Sequence, residues 1–164
     1  MANKDFPRGL WPAGHLCGGA IRSHRYTLTT GEIIRRGEVV KAVAGGTVED
    51  AAAGDGAIVV GVSADYVDDS ASAGGKTVNI YDDPNIIFGV QASVAITAVA
   101  VFSTSDLTTC ASSNQYSDTE LDLDSNGQCK IIGLVEEPEN SWLINADILV
   151  IFNEHLYKAL VAGV

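Results

Sequence analysis

Beyond residue 25 the hydrophobic and polar positions fall into a period of two. Tyr26, Leu28 and Thr30 alternate with Thr27 and Thr29, residues 38–44 centre on Val39, Val40 and Val43, and Ala57-Ile-Val-Val-Gly-Val62 is a short apolar run. Val78 and Ile80, residues 86–91, residues 130–136 and residues 148–152 repeat the theme. Successive side chains of a strand point to opposite faces, so these segments predict strands. Ala44-Gly-Gly-Thr47, Ala53-Gly-Asp-Gly56, Tyr81-Asp-Asp-Pro-Asn85 and Glu137-Pro-Glu-Asn140 separate them with turn chemistry. Short strands at this spacing predict a mainly β fold, a small antiparallel β-barrel or sandwich over residues 24–164 with at most one short helix.

Two stretches break the pattern. Residues 103–120, rich in Ser, Thr, Asn and Asp, predict a long surface loop, and the preceding Val94, Ala95, Ala98, Val99 and Phe102 suit a short helix or a strand equally. At the other end, Phe-Pro-Arg-Gly-Leu-Trp-Pro-Ala-Gly-His-Leu-Cys-Gly-Gly-Ala-Ile-Arg-Ser from Phe6 to Ser23 carries two prolines and four glycines. They forbid a regular helix and interrupt any strand, which predicts an extended N-terminal arm over residues 1–23. Its Phe6, Leu10, Trp11, Leu16 and Ile21 require burial against some surface.

Charge sharpens this division. Residues 1–36 carry six basic side chains against two acidic, a net of +4, whereas the remainder carries four against nineteen, a net of −15. An acidic body repels nucleic acid and anionic membranes, so neither is expected as a partner, and only the N-terminal region suits an acidic one. An apolar fraction of 46% with 19% charged residues places the chain among folded domains. No apolar run reaches membrane-spanning length, the longest candidate being residues 94–102, and residues 2–14 lack the apolar core of a secretion signal. Synthesis in a cytoplasm is expected, with Cys17, Cys110 and Cys129 as reduced, buried thiols, because three cysteines without CxxC spacing form neither a disulfide framework nor a zinc site.

Candidate chemistry is thin. Asp122-Leu-Asp-Ser-Asn-Gly127 imitates a calcium loop, but its twelfth position is Gly133 where a bidentate Glu is needed and Lys130 sits inside it; an Asn126-Gly127 hairpin turn explains it better. Gly74-Gly-Lys-Thr77 lacks the upstream glycine of a phosphate loop, since that position is Ser70. His15 and Cys17 share a face if extended, yet an arm broken by Pro and Gly offers no rigid shell to orient a nucleophile. His24 and His155 read as satisfied structural histidines, and the many carboxylates, from Asp65 to Glu139, as a solvated surface. No cofactor, metal or enzymatic activity is expected.

The order of Arg36-Gly-Glu-Val-Val-Lys41, Gly46-Thr-Val-Glu-Asp-Ala-Ala-Ala-Gly-Asp55, Ile58-Val-Val-Gly-Val62, Val78-Asn-Ile-Tyr-Asp-Asp-Pro84, Phe88-Gly-Val-Gln91, Ile132-Gly-Leu-Val135 and Asn145-Ala-Asp-Ile-Leu-Val-Ile-Phe-Asn-Glu-His155 resembles tailed-phage head decoration, or capsid cement, proteins over most of residues 15–157. The resemblance implies a β-barrel or β-tulip-like body, often a homotrimer. Such a protein sits on the outer capsid surface of the virion and clamps neighbouring subunits of the major capsid protein. On that reading Phe6, Leu10, Trp11 and Leu16 are apolar anchors, and Arg8, Arg22, Arg25, Arg35 and Arg36, with His15, fix register on the capsid. The alternatives are a tail or head-fibre β-barrel module, a host-adhesion or sugar-binding barrel in which Trp142 would take part, and a hydrolase built on scattered carboxylates.

Overall fold

The structure is a computed structural model that describes residues 3–51, 58–71, 74–108, 110–123 and 127–158. It is mainly β and antiparallel, as the alternation predicts. The turn at residues 53–56 and the Asn126 end of the Asn126-Gly127 turn lie outside the described residues.

A six-stranded sheet runs in the order β1 (Trp11–His15), β9 (Ile86–Gln91), β13 (Asp147–Phe152), β12 (Cys129–Leu134), β10 (Thr104–Leu107), β11 (Leu121–Asp122). A five-stranded sheet runs β2 (His24–Thr27), β8 (Thr77–Tyr81), β6 (Val59–Ser63), β4 (Val39–Val43), β5 (Thr47–Asp50). A ribbon of β3 (Ile33–Ile34) and β7 (Val67–Asp68) completes the set. In β13 the pleat turns Ile148, Val150 and Phe152 inward while Asp147, Leu149 and Ile151 stay half-exposed. Those inward side chains meet Ile86, Phe88, Val90 and Ile131 from their own sheet and Val39, Val59 and Val62 from the other. The two sheets thus share one core, a sandwich-like arrangement, and the described strands do not close into a single barrel.

β6 is buried at every position because it has a core on each face. A bulge against β4, where two residues of β6 match one step of its partner, resets the alternation so that Val59 and Val62 both join the shared core. Val60 joins a second cluster with Leu28, Ile34, Val40, Val48, Val78 and Ile80. That cluster fills the curl of the five-stranded sheet, whose two edges meet at a parallel bridge between Leu28 and Val48, reinforced by the Thr29 N–H donating to the Val48 carbonyl at 2.9 Å. A side chain at Gly61 would place its Cβ 2.1 Å from the Tyr81 carbonyl oxygen. Gly61→Ala is therefore expected to cost about 1–3 kcal/mol by prising β6 from β8, read as a lower urea midpoint at unchanged m-value.

Two segments depart from the sequence reading. Residues 11–15, expected in a separate arm, form edge strand β1, and Leu10 lies in the shared core at 2% exposure. Pro12 is tolerated because an edge strand need not donate on its open side and a bulge separates Pro12 from Gly14. Within residues 103–120, expected as loop, β10 is buried at Ser105, Asp106 and Leu107, and Ser117 and Thr119 are buried as well. β11 and β12 each pair with β10. Residues 98–100 form one 3-10 turn.

Candidate functional site

The N-terminal segment reaches its position through polar contacts that span almost the whole chain. Asn3 donates to the carbonyls of Ser141 and Ile144 at 2.8 and 3.0 Å. The buried Gln91 accepts from the Phe6 N–H at 2.9 Å and donates to the Lys4 carbonyl at 2.9 Å. Gly9 and Gly37 then let two backbones touch: each has a left-handed φ, and a Cβ at Gly9 would fall 2.5 Å from the Gly37 carbonyl oxygen. The Leu10 N–H donates to that same carbonyl at 2.8 Å.

From there Trp11 lies flat on Gly89 of β9, where any side chain would strike the indole at 2.3 Å. The Arg8 guanidinium stacks on the indole, 3.9 Å from its centroid, and meets Asp147 at 3.3 Å. Burial raises the Asp147 carboxyl above its usual range, and Arg8 opposes that rise. Across from this wall, the Arg36 N–H donates to the Gln115 carbonyl at 3.0 Å and the Ser117 N–H to the Arg36 carbonyl at 2.9 Å, which fixes residues 115–117 beside Arg36. Asp118 accepts the Ala111 N–H at 2.8 Å and closes the turn.

Between the two walls runs an open groove of about 1050 Å³, lined by Phe6, Arg8, Trp11, Arg36 and Tyr116, with Leu10 and Gly37 in its floor and residues 111–118 along one side. Phe6 and Tyr116 are each more than half exposed, and Arg36 is exposed. Below it Glu38 is buried, accepting the Arg35 N–H at 2.6 Å with the Arg35 guanidinium 3.9 Å away. Burial pushes its carboxyl up to about 7 despite the N–H and guanidinium of Arg35.

The sequence-derived contact residues therefore divide. Phe6, Arg8, Trp11 and Arg36 come together at the groove, and Leu10 supports it from the core. Arg35 turns inward to Glu38. His15 holds Asp83 through Nε2 at 3.1 Å, and its Nδ1 accepts the Cys17 and Gly19 N–H groups, so it serves the turn and not the Cys17 thiol. Leu16, Arg22 and Arg25 are exposed on the connection into β2 and on β2 itself, outside the groove lining. Tyr116 was missed by the sequence reading. Its only signal was being the single aromatic residue of the polar stretch 103–120.

Other expectations change too. Cys17 is exposed, Cys110 half-buried and Cys129 buried; exposure of Cys17 follows from its place on the solvent-facing turn after β1. His155 is buried, its Nδ1 accepting the Tyr157 N–H at 3.1 Å, and burial lowers its pKa to about 4 although the Val60 backbone opposes that fall. His24 is two-thirds exposed and bonds Asp82 at 2.7 Å, and the Tyr26 hydroxyl donates to the same carboxylate at 2.5 Å. Gly74 and Gly75 both take left-handed φ in a turn, and Lys76 reaches toward Asp69, 4.0 Å away, so this segment is a turn into β8. No helix among the described residues is long and apolar enough to cross a membrane. Compared with known proteins, the chain matches no family model and no curated sequence.

Proposed function

We propose that this protein is a structural, non-enzymatic component of a tailed-phage virion, which attaches to the outer capsid surface and clamps neighbouring subunits of the major capsid protein. The observation that carries the reading is the groove, where Phe6, Trp11 and Tyr116 offer rings and Arg8 and Arg36 offer guanidinium groups on a chain of net charge −11. Aromatic and arginine side chains dominate interface energetics, and here they are held by backbone contacts that leave little to order on binding. The resemblance of the strand-and-turn order to decoration proteins supports the same assignment.

Self-association into a homotrimer belongs to this proposal. Val99 and Phe102, 89% and 76% exposed, together with the half-exposed Leu143 and Ile144, form apolar surface away from the groove lining. The Ile96 N–H donates to the Leu143 carbonyl at 3.4 Å, which brings those two loops side by side. A symmetric oligomer presenting several grooves gains avidity from contacts that are individually modest.

Co-sedimentation with undecorated heads tests the reading. The double variant Phe6→Ala, Arg36→Glu is expected to lose at least about tenfold in apparent affinity with its circular dichroism unchanged. Arg22→Ser with Arg25→Ser, outside the groove, is expected to change it by no more than about twofold. Wild-type occupancy by the groove variant would remove the groove as the attachment face.

A further inference from the structure

Resting on that attachment reading but specifying what the groove takes, we propose that its occupant is an extended peptide segment pairing one acidic side chain with one aromatic or large aliphatic side chain. The groove's volume of about 1050 Å³ stands at the upper limit of small-molecule sites, and it is open along its length, as suits a chain threaded past several contacts. Its three rings lie on two facing segments: Phe6 and Trp11 on the N-terminal segment, Tyr116 on the opposite wall. An apolar side chain of the peptide has a ring surface on either side.

Charge decides the second position. Arg8 is already engaged by Asp147 and the Trp11 ring, whereas Arg36 is exposed, its N–H and carbonyl committed to residues 115–117 and its guanidinium without an ion pair among the described residues. Asp118, the acidic residue of the groove wall, has one carboxylate oxygen occupied by the Ala111 N–H. A carboxylate on the peptide therefore meets Arg36 in the bidentate geometry that guanidinium favours. The body's negative charge acts within a Debye length of about 8–10 Å, so it disfavours densely acidic polymers whose further charges fall inside that range, while a single carboxylate is attracted to Arg36 at contact range. Selectivity for an isolated acidic residue in an otherwise neutral segment follows.

The probe is a random dodecapeptide library selected on the intact wild-type protein and counter-selected on Arg36→Glu. Enriched peptides are expected to carry Asp or Glu near an aromatic or large aliphatic residue. Their binding, measured by fluorescence polarisation, should fall about tenfold or more with Arg36→Glu and with Phe6→Ala, and with Asp→Asn or Glu→Gln in the peptide. Enrichment of basic or charge-free peptides, or equal recovery on Arg36→Glu, overturns the proposal. So does sedimentation showing that the groove is filled by a second copy of the chain, with association abolished by Arg36→Glu. Heads that fail to bind while acidic peptides are selected would refute the capsid reading alone; heads that bind through the Arg36→Glu protein while no acidic peptides emerge would refute this inference alone.

Discussion

A chain lacking residues 1–15 is expected to lose its native fold, although the sequence alone casts this segment as part of an extended arm outside the β body. The deletion removes Leu10 from the shared core, a loss of about 2–5 kcal/mol for a large buried aliphatic side chain. It strips the whole of β1 from β9. It also takes two of the three partners of buried Gln91, the Phe6 N–H and the Lys4 carbonyl, and an unsatisfied buried polar group costs about 1–3 kcal/mol. Together these exceed about 5 kcal/mol, comparable with the whole stability of an ordinary domain. Circular dichroism and urea denaturation of the truncated protein should show loss of the cooperative transition, with Leu10→Ala keeping the transition at a markedly lower midpoint. A truncated chain that melts at the wild-type midpoint would remove β1 from the fold's essential parts.

The second large effect is a pair of opposed pH dependences. His155 is held neutral by burial, with its pKa lowered from 6.5 to about 4. Its contribution is intact above pH 6.5 and is lost as pH falls toward 4, because the unfolded chain takes up the proton first; the loss amounts to about 3 kcal/mol. Glu38 runs the other way, raised from 4.5 to about 7, so its contribution is present below pH 4.5 and lost as pH climbs through 7, again by about 3 kcal/mol. Between pH 4.5 and 6.5 the two slopes oppose each other. Glu38→Gln keeps an acceptor for the Arg35 N–H and removes the alkaline loss, so it should stabilise the protein at pH 8 and expose a steeper acid decline. His155→Phe should flatten that decline. Urea midpoints measured from pH 4 to 8 decide the matter, and parallel curves for wild type and Glu38→Gln would contradict the assignment.

How far the sequence reveals this molecule depends on what a residue's neighbours do. Residues 86–91, 130–134 and 148–152 were legible because their apolar positions repeat at the pleat's own period. β10 was not, since Thr104-Ser-Asp-Leu107 looks like loop until Asp106 is seen accepting the Gln128 N–H at 3.1 Å and the Gln128 side chain accepting the Leu107 N–H at 3.2 Å. Two polar side chains that each satisfy a backbone N–H on the facing segment can be buried, and composition carries no trace of that pairing. β1 was hidden by Pro12 and Gly14, residues that an edge strand accepts and a central strand does not. Of the groove, the arm side was readable as aromatic and arginine residues in need of a surface. The opposite wall was not, because only the pairing of Arg36 with residues 115–117 brings Tyr116 there.

The position of β13 has a consequence for how the protein is made. β13, the last strand of the described chain, sits between β9 and β12 in the six-stranded sheet, and Asn3, almost the first residue, is anchored on Ser141. On the ribosome the N-terminal segment emerges long before its docking site exists, and β9 waits with one edge unpaired until β13 is synthesised. Loop-closure entropy is paid over most of the chain before these contacts reward it, the condition under which β proteins fold slowly. The nascent molecule thus passes through a stage with Leu10, Trp11 and the open edge of β9 in solvent, and that aggregation-prone interval ends when the final third of the chain arrives.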